Sequence, residues 1–223
     1  MIRISEKGKQ RERRGTGTGA EYKPYIETRE FNSCGTCSNP IDWITHRTVE
    51  LFSQGEAEVW YVLRWQDEVE DILEQFPLEL DCTVALAHKL GIRHPNNSRV
   101  RMTTDFLVIL KNGERLAVSV KSSKRDLEND RTTEKLFLEM MYWKEKRVPF
   151  YLVFKDQMNH ELVQNIRLVT EFYSPDSVFD DLSILKHLVA TKQIEVDMSN
   201  GILDFSMLMQ EYKGEIEQWK KWN

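Results

Sequence analysis

No stretch of this 223-residue chain is apolar for long enough to span a membrane, and its first residues lack the apolar centre of a secretory signal. A soluble, cytoplasmic protein is therefore expected. Cysteine is scarce. Three residues, an odd number, argue against a disulfide scaffold and suit a reducing compartment. Two of them form CGTC at 34–37, but no second pair exists, and Cys82, His46, His88 and His94 are scattered. A four-ligand zinc site is thus unsupported, and the βαβ context of a redox CxxC is missing. Nor is there a surplus of positive charge. The net charge of −5 speaks against bulk attraction to nucleic acid. Internal repeats and low-complexity tracts are absent as well.

What is present is unevenly distributed. Residues 1–14 carry Arg3, Lys7, Lys9, Arg11, Arg13 and Arg14 against only Glu6 and Glu12, whereas residues 172–223 carry five lysines against nine acids. The two ends should meet different partners. Residues 1–19 show no apolar periodicity and read as a basic flexible arm, disordered until bound. Residues 20–50 hold isolated anchors (Tyr22, Tyr25, Ile26, Phe31, Ile41, Trp43) and read as an irregular arm over a core. Ser53 is a plausible N-cap for a helix carrying Val59, Val62, Leu63 and Trp65, which Pro77 would end. Strands are expected near 103–110, 115–121, 149–154 and 166–172. A helix between the second and third would place Leu136, Met140 and Trp143 on one side. This order describes an α/β fold, a mixed sheet flanked by helices, over residues 20–172. A helix near 176–190 and a hairpin at IEVDMSNGILDF then outline a small winged-helix-like module over 173–223.

The hairpin RMTTDFLVILKNGERLAVSVK carries the chemistry. A two-residue loop at Asn112-Gly113 would pair residue 105 with 120 and put Asp105 on the wrong face. A three-residue loop, Lys111-Asn112-Gly113, pairs 110 with 114 and so 105 with 119, and glycine suits its last, left-handed position. Asp105, Ser119 and Lys121 then share one face. An acid on one strand and a lysine ending its neighbour is the outline of a restriction-type nuclease core. On spacing alone, a plain surface hairpin is the more frequent source of such a pattern. A further acid, Glu56, stands in the first turn of the preceding helix, with Glu58 as a competitor.

The chain resembles the TnsA family, the endonuclease subunits of heteromeric Tns-type transposases. The resemblance runs through GTGTGAEYKPYI, FSQGE, VEDILEQFPL, RMTTDFLVIL, LAVSVK and DRTTEKLFLEMMYW, most of residues 10–172. It implies a restriction-endonuclease-like catalytic domain with Glu56, Asp105, Ser119 and Lys121 as catalytic residues. It also implies Mg²⁺ (or Mn²⁺ in its place) held by Glu56, Asp105 and the carbonyl of Val120. The family often has Gln where this chain has Ser119, and a serine reaches a metal only through water or by close approach. Lys124, Arg125, Arg131 and Lys135, with Arg13 and Arg14 of the arm, are candidate phosphate contacts. Implied partners are double-stranded transposon-end DNA, the TnsB transposase and, for the acidic C-terminal module, the AAA+ regulator TnsC, with nucleoid association when active. The implied activity is nicking of the 5′ strands in cut-and-paste transposition. Two other readings stay open: a catalytically weak assembly subunit, and a stand-alone restriction-type nuclease.

Overall fold

The computed structural model describes residues 4–30 and 36–222, apart from the side chains of Asn96 and Asn97. The chain divides into two compact units, residues 1–158 and 159–223. Among the described residues no helix is long and apolar enough to cross a membrane.

The first unit is built on a four-stranded mixed sheet in the order β1-β2-β3-β4: β1 (Val69–Pro77), β2 (Thr103–Leu110), β3 (Arg115–Lys121) and β4 (Phe150–Phe154). β1, β2 and β3 are antiparallel neighbours, and β4 lies parallel to β3. The hairpin has the three-residue loop. Phe106 pairs with Val118 and Ile109 with Arg115, a register that sets Leu110 opposite Glu114, whose carbonyl accepts from Leu110 N at 2.9 Å. Gly113 takes φ +84°, where a Cβ would be strained.

Both faces of the sheet are covered. Ile72, Phe106, Val108, Val118 and Val120 pack with Val59 and Trp60 of helix α2 (Gln54–Trp65). Leu73, Leu107 and Ala117 pack with Leu86 of α3 (Leu80–Leu90) and with Leu138, Tyr142 and Trp143 of α4 (Asp130–Glu145). Met140, expected on the inner side of α4, is exposed.

Residues 69–77 are a strand, not the continuation of the helix from Ser53. That helix stops at Trp65. The strand hides its identity because both its faces are buried, so no alternation shows. It also buries Glu74 completely, against the bidentate guanidinium of Arg47 (2.7 and 2.6 Å).

The N-terminal arm is ordered where described. Helix α1 (Glu6–Arg11) is capped by Ser5, and Lys9 and Arg14 are buried on Glu30, with Glu12 and Glu27 adding to Arg14. These acids neutralise Lys9 and Arg14, which the flexible reading did not foresee. Of the anchors expected after it, Tyr22 and Tyr25 are buried, Ile41 is 68% exposed, and Phe31 lies outside the described residues.

The second unit begins earlier than the expected boundary near 172. Residues 160–170 form helix α5 (His160–Thr170), not a strand. Asn159 caps it and Val163, Ile166 and Val169 line its buried side, a helical period that outweighs β-branched content. Helices α6 (Asp181–Ala190), α7 (Phe205–Glu211) and α8 (Lys213–Trp222) follow. No wing is formed: among the described residues there is no strand after Phe154. The loop at Asn200-Gly201 is held by one side chain instead. Asn165 Nδ2 donates to the carbonyls of Met198 and Gly201, and its Oδ1 accepts from Leu203 N, in place of a strand partner.

Candidate active site

Extending the register one residue beyond Phe106–Val118 sets Asp105 across from Ser119. Asp105 Oδ2 accepts from Val120 N at 2.7 Å and lies 3.4 Å from Ser119 Oγ. Lys121 ends the strand, its Nζ donating to the carbonyl of Val120 at 2.8 Å. The carbonyl expected as a metal ligand is thus held by the expected catalytic lysine. Burial raises the proton affinity of Asp105, while Lys121 and the Val120 N–H oppose the rise.

Glu56 arrives from the N-terminus of α2. Ser53 and Glu56 cap each other: Ser53 Oγ accepts from Glu56 N at 3.1 Å and donates to Glu56 Oε1 at 3.0 Å. Phe52 N and Gln75 Nε2 donate to Glu56 Oε2, at 3.0 and 3.3 Å. Gly55 lets this turn lie against the sheet, since a Cβ there would come within 3.3 Å of both Val120 Cγ1 and Lys155 Cβ. Burial, then the charge of Asp105, pushes the Glu56 carboxyl up to about 7. Glu58, its rival by sequence, is buried and sits 3.8 Å from Lys155 Nζ.

Two groups at the site were not singled out from sequence. Glu139 of α4 is buried with both carboxylate oxygens 3.1 Å from Ser119 Oγ. Its Oε1 also accepts from Thr104 Oγ1 at 2.7 Å, and that hydroxyl accepts in turn from the Trp143 indole N–H at 2.7 Å. Burial, then Asp105, pushes Glu139 up to about 8. The signal was an acid on an apolar stripe, three residues after Leu136 and four before Trp143. The other is Gln75 of β1, which the flanking pairs Glu74–Phe106 and Phe76–Thr104 place opposite Asp105. Reading its segment as helix concealed it.

Asp105, Ser119, Lys121 and Glu139 line a cleft of about 750 Å³, which Glu6 and Lys9 of α1 also border. Lys135 lines it too and is exposed, and Lys124, Arg125 and Arg13 are exposed. Two expected phosphate contacts are engaged within the chain. Arg14 is buried among Glu12, Glu27 and Glu30, and Arg131 donates to the Arg93 carbonyl and to Glu134. Cys34 of the CGTC stretch lies outside the described residues.

Among those residues no three His, Cys, Asp or Glu side chains form a ready metal-binding group. The donors nonetheless suit a hard divalent cation. They are oxygens, and burial first and the charge of Asp105 second raise the proton affinity of Glu56 and Glu139, a charge a bound cation would offset.

A sheet ending in acid and lysine, with further carboxylates brought in by flanking helices, defines a nuclease-type α/β domain. The TnsA-like endonuclease N-terminal family matches residues 66–155, from the approach to β1 through β4. The transposon Tn7 transposition protein TnsA of Escherichia coli is 36% identical over 190 residues, which span 82% of this chain and 69% of that protein. The chain belongs to the TnsA family of transposition endonucleases.

Proposed function

We propose that this endonuclease nicks the 5′, non-transferred strands at transposon ends during cut-and-paste transposition. It works beside a TnsB-type transposase that cuts and joins the 3′ ends and a TnsC-type AAA+ regulator, to which the acidic second unit offers a protein-binding surface. The observation that carries the reading is the shared face of Asp105, Ser119 and Lys121 at the mouth of the cleft, with Glu56 and Glu139 beside them.

In this reading Asp105, Glu56 and the Val120 carbonyl would hold Mg²⁺, or Mn²⁺ in its place, which would supply a more acidic water and a counter-charge for the phosphodiester. Asp105 is fixed by Val120 N and Ser119, and Glu56 by the capping turn. Lys121 contributes a fixed positive charge beside the phosphate as negative charge grows on it, after releasing the Val120 carbonyl. Lys124, Arg125, Lys135 and Arg13 position the backbone of the duplex without reading its sequence. Arg14 and Arg131 act indirectly, by holding the arm and the start of α4.

Asp105→Ala tests the site in a reconstituted transposition reaction. The expected outcome is loss of 5′-strand cleavage with 3′ joining intact, so that products shift from simple insertions to cointegrates. Unchanged simple insertions would remove Asp105 from the chemistry.

A further inference from the structure

Gln75 has a backbone conformation that usually falls to glycine. Its φ is +49°, in the left-handed region, within a strand whose neighbouring pairs keep a continuous register. For a residue with a Cβ this conformation is strained. The strained residue delivers a buried amide. Nε2 donates to Glu56 Oε2 at 3.3 Å, and Oε1 accepts from Thr103 Oγ1 at 3.0 Å. Toward an ionised Glu56 carboxylate, which only accepts, the amide presents its NH₂ and leaves its carbonyl to Thr103. The main chain is used as well, the Gln75 carbonyl accepting from Tyr25 N at 3.4 Å.

We propose that Gln75 is a positioning residue of the nuclease site, strained so that its amide holds the Glu56 carboxylate in one orientation beside Asp105. With Phe52 N and Ser53 Oγ, Gln75 brings the donors on Glu56 to three. A carboxylate offers about four acceptor sites, so one is left for a cation or its water. The inference rests on the nuclease reading of Asp105 and Glu56, and adds to it the group that aims the second acid.

Gln75→Gly separates this role from a structural one. Glycine adopts positive φ freely, so the substitution relieves the backbone while deleting the amide. A residue kept for the fold would lose stability; a positioning residue would not. The expected result is a melting temperature at or above the parent's, with 5′-strand nicking down about tenfold or more at limiting Mg²⁺ and partly restored by excess metal. Mn²⁺ alone, titrated calorimetrically into the free protein, should bind more weakly. Thr103→Val, which leaves β1 untouched, should weaken Mn²⁺ binding and nicking to a smaller degree, and serves if the glycine variant misfolds. Unchanged nicking and Mn²⁺ binding, or a loss of activity that tracks a lowered melting temperature, would overturn the proposal. Asp105→Ala run alongside shows which reading fails. If it nicks as the parent does, the nuclease assignment of the site falls. If it is inactive while the Gln75 and Thr103 variants are fully active, the role of Gln75 alone falls.

Discussion

Ser119 and Lys121 stand two residues apart on β3, and what each touches gives them unequal weight. The Ser119 hydroxyl has one proton to share between Glu139 and Asp105. Both acids keep a stronger donor without it, Thr104 for Glu139 and Val120 N for Asp105. Ser119→Ala is therefore expected to keep most 5′-strand nicking. Lys121→Ala should lose nearly all of it, because no neighbouring water replaces a positive charge. Nicking by both variants across a magnesium titration checks this, and equal, metal-insensitive losses would contradict it. The spacing around Asn112-Gly113 foretold that Asp105 and Ser119 share a face. It could not reveal that Glu139 lies on Ser119 across the sheet–helix contact, because sequence periodicity gives the buried side of α4 but not what that side meets.

The element that departs furthest from expectation is the N-terminal arm. Six basic residues before residue 15 suggested a solvated tail, yet Lys9 and Arg14 are buried and share Glu30. Lys9 also lies 4.5 Å over the Tyr25 ring, and the Tyr25 hydroxyl donates to the Glu6 carboxylate. These contacts hold α1 at the border of the cleft lined by Asp105 and Lys121. Glu30→Ala would take the buried Lys9 from its carboxylate and leave Arg14 with only Glu12 and Glu27. The expected cost is about 3 kcal/mol or more in chemical denaturation, since unpairing a buried charge leaves its desolvation uncompensated. A Glu30→Ala, Arg14→Ala double variant should be less destabilised than the two single losses added together. Additive losses would show that the pair is not coupled.

Across the whole molecule, proton binding and folding are linked through the cleft. Without metal, Glu56 and Glu139 hold protons up to about 7 and about 8, against 4.5 for an ordinary glutamate. Between those values the folded chain binds more protons than the unfolded one, so stability falls as pH rises. The contribution is full below about 4.5 and is lost as pH passes through 7 and 8. In chelator, the melting temperature should decline from about pH 5 to about pH 8, and Glu139→Gln should flatten part of that slope. A melting temperature independent of pH over this range in the parent protein would contradict the burial of these carboxyls.

The sequence by itself determined the local geometry: the loop length at Gly113, the face shared by Asp105, Ser119 and Lys121, the N-cap at Ser53 and a helix between β3 and β4. Each depends on residues a few positions apart, whose spacing meets a fixed turn or helical period. Only the tertiary structure decided the remainder. Strand β1 is defined by its pairing with β2, some thirty residues on, and by Arg47 neutralising Glu74 inside the core. In the second unit, Asn165 satisfies the main chain of a loop that its sequence marks as a hairpin, and no strand pair forms there. The site itself is assembled from three carboxylates on separate elements: Asp105 and Glu139 are held by donors that adjoin them only after folding, and Glu56 by its own capping turn together with Gln75. Burial of those charges beside one another is a property of the packed sheet and helices, and it raises the proton affinity of Glu56 and Glu139 well above that of an ordinary glutamate.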